Sequence, residues 1–335
     1  MKLTVHLVTW NGAKYVPLLF ESLRNQTFKD WELVVLDNAS TDDTVNLIEH
    51  ELENWSGQKR LVKNSVNLGF AGGHNLLYSQ TTSEYFLLLN QDFYLQPDCI
   101  EKLVAEIEIK PELAVVSPRL MKWDFVNQKF TTTIDSLGLT VFRNRQVVEL
   151  SGGEEWQDKD EKIITVFGVS GAAPLFKRKA IEVVAFSETE FLDGLYGSYK
   201  EDVDLAFRLQ SAGFLAETIL DAVIYHDRSA SGPAELSDIV AAENKKKQSA
   251  WVQYHSYKNH LMTLYKNEYW QNLTLDFLFI LWYELKKFLW FLFFKPAVLK
   301  GLGEIWKNRK LLRQKRIFIK KYRQSNWKKM REFWK

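Results

Sequence analysis

The chain has 335 residues, a single cysteine and a formal charge of +2, with 46% hydrophobic and 14% aromatic residues. That length suits one large domain with an appended segment, or two domains, and the lone Cys99 excludes an internal disulfide framework and suits a reducing compartment. The charge is unevenly placed: residues 300–335 hold 14 Lys and Arg against two acids, Glu304 and Glu332, so an acidic body carries a basic tail.

Leu3–Thr9 reads as a first strand rather than a secretory signal, so a cytoplasmic location is expected and the three Asn-x-Ser/Thr triplets carry no glycosylation argument. A helix is predicted over 14–24, a strand over 32–36, and a second helix over 41–52 opened by Ser40-Thr41-Asp42. A weaker strand at 60–63 precedes a helix over 71–79. A strand at 85–89 then leads to a helix over 97–109 with Pro97 in its first turn. Strands alternating with helices at this spacing mean βαβ units and a parallel sheet. Further strands are predicted at 131–134, 145–149 and 163–169 around a polar loop at 152–160, then a helix over 199–213 with Gly213 as its cap.

From about residue 272 the pattern changes. Leu278, Leu281, Trp282, Leu285, Phe288, Leu289 and Leu292 recur at helical spacing, opposite Asp276, Glu284, Lys286, Lys287 and Lys295. The uncharged runs 277–283 and 288–294 fall short of the ~18 apolar residues of a spanning helix. Such a helix either lies in a membrane surface or packs its apolar face on its own domain. The basic stretch that follows favours the membrane, because anionic lipid contributes ~1 kcal/mol per nearby Lys or Arg.

In an open parallel sheet, ligands sit at the carboxyl ends of the strands. Those ends read Thr9-Trp10-Asn11, Asp37-Asn38, Asn67 to Asn75 and Asn90-Gln91-Asp92. Asp37 suits a ribose or base-edge contact, and equally an ordinary turn; Asp42 reads as a helix cap. A dinucleotide-binding turn is excluded, since 10–15 holds one glycine where G-x-G-x-x-G is needed. One carboxylate such as Asp92, with diphosphate oxygens and water, suits Mg²⁺ or Mn²⁺. Glu201, Asp202 and Asp204 open a helix, where acids are ordinary dipole partners, but three of them after Tyr196-Gly197-Ser198-Tyr199 suggest more than capping. His226 ends the run 219–225 and precedes Asp227, Arg228 and Ser229; it is either structural or a metal or phosphate ligand.

These elements together resemble family 2 glycosyltransferases of the GT-A fold, and within them the bacterial rhamnosyltransferase-like branch. The matching segments are V-T-W-N-G from Val8, L-D-N-A-S-T-D-D-T from Leu36, N-L-G-F-A-G-G-H-N from Asn67 and L-L-L-N-Q-D from Leu87. They continue with G-A-A-P-L-F-K-R from Gly171, the run from Phe191 through K-E-D-V-D-L-A-F-R-L, and Y-H from Tyr225.

The resemblance implies a Rossmann-like, mostly parallel central sheet flanked by helices. It implies a GT-A domain over 1–265, with a nucleotide-binding half at 1–120 and an acceptor half at 121–265. Amphipathic, membrane-associating helices would follow over 266–335. By resemblance, Thr9, Trp10, Asn11, Asp37 and Asn38 hold the base and ribose, and Asn67, Gly69, His74, Asn75 and Asn90 complete the donor pocket. Asp92 and His226 are the metal or diphosphate ligands, Asp202 the general base with Glu201 beside it, and Asp193 and Trp123 acceptor contacts. The implied reaction moves a sugar with inversion from a nucleotide-diphosphate donor, dTDP-rhamnose first and a UDP-sugar second. The acceptor is a hydroxyl of a glycan or of a polyprenyl-diphosphate-linked glycan in cell-surface polysaccharide synthesis.

The chain departs from the family pattern twice: Asn90 stands where some relatives have an acid, and His74 where an arginine is common, so its phosphate contact is expected to depend on pH. A nucleotidyltransferase would show a Gly-rich basic loop after the first strand, which 10–15 lacks. A nucleic-acid binder is disfavoured by the acidic body, and an inactive relative by the intact Asp92, Asp202 and His226.

Overall fold

The computed structural model describes residues 1–227 and 249–335; Arg228 and Ser229 lie outside the described residues. β1 (Leu3–Thr9), β2 (Trp31–Asp37), β3 (Gln58–Lys63) and β4 (Tyr85–Leu89) are joined by α1 (Val16–Arg24), α2 (Thr44–Glu53) and α3 (Gly69–Gln80). All neighbouring pairs in the order β3-β2-β1-β4 are parallel. β4 reads Tyr-Phe-Leu-Leu-Leu and is buried throughout, as a strand covered on both faces requires. The helices begin one to three residues later than the sequence pattern suggests, or, for α3, earlier; the strands agree to within two residues.

The second half extends the same sheet. β5 (Phe93–Leu95), α4 (Cys99–Ile109), β6 (Leu113–Asp124) and β7 (Lys129–Ser136) follow, and β8 (Leu139–Val141) pairs with β9 (Val147–Glu149) as a separate ribbon. β10 (Ile163–Val166), β11 (Leu175–Lys177), α5 (Arg178–Val184), α6 (Glu201–Ser211) and β12 (Leu215–His226) complete it. Among the described residues the sheet has ten strands in the path β10-β12-β6-β11-β4-β1-β2-β3, with β5 on β12 and β7 on β6. β11 is antiparallel to both β4 and β6, while β6 and β12 run parallel. This is the helix-flanked central sheet expected, parallel through its first four strands and mixed in its second half.

A helical layer closes the chain: α7 (Ala250–Asn267), α8 (Trp270–Leu275), α9 (Phe277–Phe294), a 3₁₀ turn (Pro296–Leu299), α10 (Lys300–Lys307), α11 (Arg309–Lys321) and α12 (Trp327–Arg331). The expected boundary at 265/266 falls inside the last turn of α7. The layer is sewn to the body by buried charge. Arg145 Nε lies 2.6 Å from Glu268 and its Nη1 3.0 Å from Asp276, which Arg331 also reaches at 2.6 Å. At the end of the chain, the Arg143 N–H donates to the Lys335 carbonyl at 2.9 Å.

α9 packs by its polar side. Lys287 is buried with Ile280 and Phe291, and Glu284 bonds His260 Nε2 at 2.7 Å. Leu278, Trp282 and Phe293 are 75%, 63% and 74% exposed. Among the described residues, the face that carries Leu278, Trp282 and Phe293 is therefore not packed on the body. Among the described residues no helix is long and apolar enough to cross a membrane.

Candidate active site

The parallel register aligns the carboxyl ends of the first strands, setting Thr9 beside Asp37 and Leu7 beside Leu89. Thr9 Oγ1 donates to Asp37 Oδ1 at 3.4 Å, and Asp37 Oδ2 accepts the Ser40 N–H at 3.0 Å. Asn11, at φ +48°, accepts the Thr41 N–H on Oδ1 at 2.8 Å, tying the first loop to the second. Trp10 is 52% exposed, and its backbone is bracketed by the Gln91 amide in both directions, at 2.8 and 3.1 Å.

Asn38 is a buried hub. It donates to Asn67 Oδ1 at 2.9 Å and accepts the Leu68 N–H at 2.9 Å, while Asn67 Oδ1 accepts the Gly69 N–H at 2.7 Å. Asn75 is spent on the loop before α6, accepting from Phe191 and Leu192 and donating to the Leu192 carbonyl at 2.7 Å. Both amides thus fix the loops around them through hydrogen bonds to backbone and neighbouring side chains.

At the next strand ends, Asp92, His226 and Asp227 meet. The Asp227 N–H donates to the Asp92 carbonyl at 3.0 Å. His226 Nε2 lies 3.3 Å from Asp92 Oδ2, and Nδ1 2.9 Å from Asp135 Oδ2. Burial opposes charge on the imidazole, but Asp92 and Asp135 outweigh it and raise its pKa to about 9. Tyr15 donates its hydroxyl to Asp227 Oδ2 at 2.6 Å. A carboxylate holding one ring nitrogen while the other faces a second carboxylate is the second-shell pattern that orients a metal-ligating histidine. Among the described residues no cluster of three or more His, Cys, Asp or Glu side chains is arranged for a metal. The pair Asp92 and His226 therefore fits a hard cation only if phosphate oxygens and water complete its shell.

α6 presents the other acids. Asp202 Oδ2 accepts the Gly171 N–H at 3.1 Å and Oδ1 the Val203 N–H at 2.7 Å. Glu201 is buried, and its Oε2 has no hydrogen-bond partner among the described residues. Burial and then the neighbouring Asp202 push its pKa well above the usual carboxylate range. The loop before α6 touches the first turn of α3 directly: the Ala71 N–H donates to the Gly197 carbonyl at 3.0 Å and the Phe70 N–H to Ser198 Oγ at 3.4 Å. Gly69 has φ +71°, and a Cβ there would stand 2.9 Å from the Gly197 oxygen, so the approach requires glycine.

Three expected contacts sit elsewhere. His74 is fully buried against Phe70, and burial lowers its pKa to about 3, so it stays neutral and offers no pH-dependent phosphate contact. Asp193 is fully buried between Lys266 and Lys315, and Trp123 is 4% exposed within an aromatic cluster; neither is open to an acceptor. Asn90 is half-buried directly after β4, next to Gln91. Asp135, Asp227 and Tyr15 join the site without having been singled out for it; an acid directly after the strand predicted at 131–134 was the one available signal for Asp135, which lies inside the observed β7.

The chain matches the family model described as Glycosyl transferase family 2 over residues 4–184. It is 29% identical over 105 residues to an uncharacterized glycosyltransferase of Haemophilus influenzae, covering 31% of this chain and 32% of that one. It is also 29% identical over 111 residues to the poly(ribitol-phosphate) beta-N-acetylglucosaminyltransferase TarS of Staphylococcus aureus, covering 32% and 19%. The alignments thus span about a third or less of these relatives. Among solved structures, GalNAc-T7 with UDP, GalNAc and Mn²⁺ superposes with TM-score 0.58 at 10% identity, over 79% of this chain and 48% of that one. S. aureus TarS 1-349 with UDP-GlcNAc gives 0.55 at 16% identity, over 96% and 89%. At such identities the likeness shows the fold, which is GT-A.

Proposed function

The chain belongs to glycosyl transferase family 2, and we propose that it transfers a sugar, with inversion, from a nucleotide-diphosphate donor to an acceptor hydroxyl in cell-surface polysaccharide synthesis. The observation that carries this reading is the Ala71–Gly197 hydrogen bond, which joins the donor-side loop to the loop that delivers Asp202. Thr9, Trp10, Asn11, Asp37 and Asn38 form the nucleoside end, with Asn67, Gly69, Asn75 and Asn90 along the wall. Asp202 removes the acceptor proton as the hydroxyl oxygen attacks C1, and the C1–O bond to the diphosphate breaks on the opposite face. Such base assistance contributes about 10²–10⁴-fold. Glu201, buried and with its pKa raised by that burial, is the less suited of the two to that task and supports Asp202 instead.

Asp92 and His226 would hold Mg²⁺ or Mn²⁺, with Asp135 orienting the imidazole; the ion would supply charge neutralisation for the departing diphosphate. The N-x-D element at Asn90–Asp92 favours dTDP-rhamnose as donor. A UDP-sugar is the second reading, favoured by the fold likeness to a protein solved with UDP-GlcNAc. The exposed apolar side of α9 and the basic stretch after it support a peripheral seat on an anionic membrane at its cytoplasmic face, near a polyprenyl-linked acceptor. On this reading 1–265 forms the catalytic body and 266–335 the membrane-associating part. Thermal-shift titration against dTDP- and UDP-sugars, with and without Mn²⁺ or Mg²⁺, tests it: a binder at a hundredfold excess over Kd stabilises by about 2.7 kcal/mol. Folded protein with no shift for any nucleotide sugar overturns it.

A further inference from the structure

The loop 193–200 that delivers Glu201 and Asp202 is held from two sides. On one side are the donor-side residues Phe70 and Ala71. On the other side stands the helical layer, which holds the loop through an apolar cluster of Tyr196 with Met262 and Leu312 and through buried polar groups. Tyr199 and Lys200 have φ +71° and +69°, a conformation side-chain-bearing residues seldom adopt. Asn259 of α7 stabilises it, donating to the carbonyls of Tyr196, Ser198 and Tyr199 at 3.0, 2.9 and 2.7 Å. At the start of the loop, Asp193 pairs with Lys266 of α7 and, at 2.7 Å, with Lys315 of α11, which also reaches Glu190 at 2.6 Å. Lys266 continues to Asp204 of α6 at 2.9 Å, so one chain of charges runs from α11 to the helix that carries Asp202.

The same layer carries α9 with its outward apolar side and the basic residues of α11. α9 rests on α7 through Glu284–His260 and Phe291–Tyr257, and α7 packs in turn on α11, so a surface that seats α9 bears on the helices that place Lys315. We propose that Lys315 is a positioning residue through which an anionic lipid surface orders the 193–200 loop and with it Asp202, so that turnover responds to membrane seating. This rests on the readings of Asp202 as base and α9 as lipid-facing. Lys315 suits the role because it is remote in sequence, contacts no reacting atom, and leaves Asp193 paired to Lys266 when removed.

The test uses the full chain with phosphatidylcholine vesicles, with and without phosphatidylglycerol. Co-sedimentation and hydrogen–deuterium exchange of the peptide spanning 193–202 are measured together. Wild type is expected to sediment with the anionic vesicles and to exchange more slowly there. Lys315→Met should still sediment, exchange about tenfold faster than wild type, as loss of a charge-assisted hydrogen bond implies, and show no lipid response. Lys315→Arg should restore the response, which a merely structural lysine would not link to lipid. Vesicle binding with unchanged exchange in wild type, or an intact lipid response in Lys315→Met, overturns the coupling. Failure of wild type to sediment overturns it through the membrane reading instead, and neither result touches the assignment of Asp202.

Discussion

The Gly171 backbone N–H donates to Asp202 Oδ2 at 3.1 Å, and a Cβ at Gly171 would stand 3.2 Å from the Asp202 Cβ. The carboxylate is thus fixed by backbone at the first turn of α6, while Glu201 one residue earlier turns into the interior. Adjacent acids thus receive different environments, which on the proposed reading suits Asp202 as the base and leaves Glu201, its pKa raised by burial, in support.

Glu201→Gln is expected to raise the melting temperature at pH 7.5. The folded pKa of Glu201 lies above its ordinary 4.5, so folding takes up a proton as pH rises past that value and stability is lost through the window up to the folded pKa. The amide removes that cost. Melting curves of both proteins from pH 4 to 8 should therefore diverge with rising pH and converge near pH 4.5. A difference independent of pH would show that Glu201 is charged in the folded protein.

Asp135→Asn should weaken Mn²⁺ binding about ten- to hundredfold in the presence of nucleotide, because the amide no longer orients the His226 ring as a carboxylate does. Isothermal titration of Mn²⁺ into the UDP- or dTDP-bound protein reads this directly. Equal affinities would remove His226 from the ligand set.

How much of this was legible in the sequence depends on how local each signal is. β1, β2 and β4 are short apolar runs ending in polar residues, and their positions could be read. β6 escaped because Pro118, Arg119 and Lys122 interrupt its apolar pattern, and it is held by long-range pairing with β12. Asp135 reaches His226 only across β6 and β12, a relationship no spacing records. Asp193 looked like an acceptor contact because it stands in the motif run from Phe191. Its partners, Lys266 and Lys315, come from helices whose docking cannot be seen locally. The helical period of α9 was plain, but which side faces the body was decided by His260 and Tyr257 on α7, which take Glu284, Lys287 and Phe291 inward.

Lys266→Met should cost about 3 kcal/mol of stability, since it withdraws one partner from both Asp193 and Asp204 where neither can reach water. Urea denaturation of the two proteins measures it. A loss under about 0.5 kcal/mol, the range of ordinary surface changes, would show that the network contributes little.

The double substitution Leu278→Ser and Trp282→Ser should leave stability within about 0.5 kcal/mol, as expected for exposed side chains, and release the protein from anionic vesicles. Unchanged co-sedimentation would rule out α9 as the lipid-facing element.

The role of Asp202 is tested most directly by the turnover of Asp202→Asn beside its donor affinity, using whichever nucleotide sugar stabilises the wild type. A loss of about 10²–10⁴ in kcat with donor Kd unchanged is expected. Turnover comparable to wild type would contradict it and move the base elsewhere in the site.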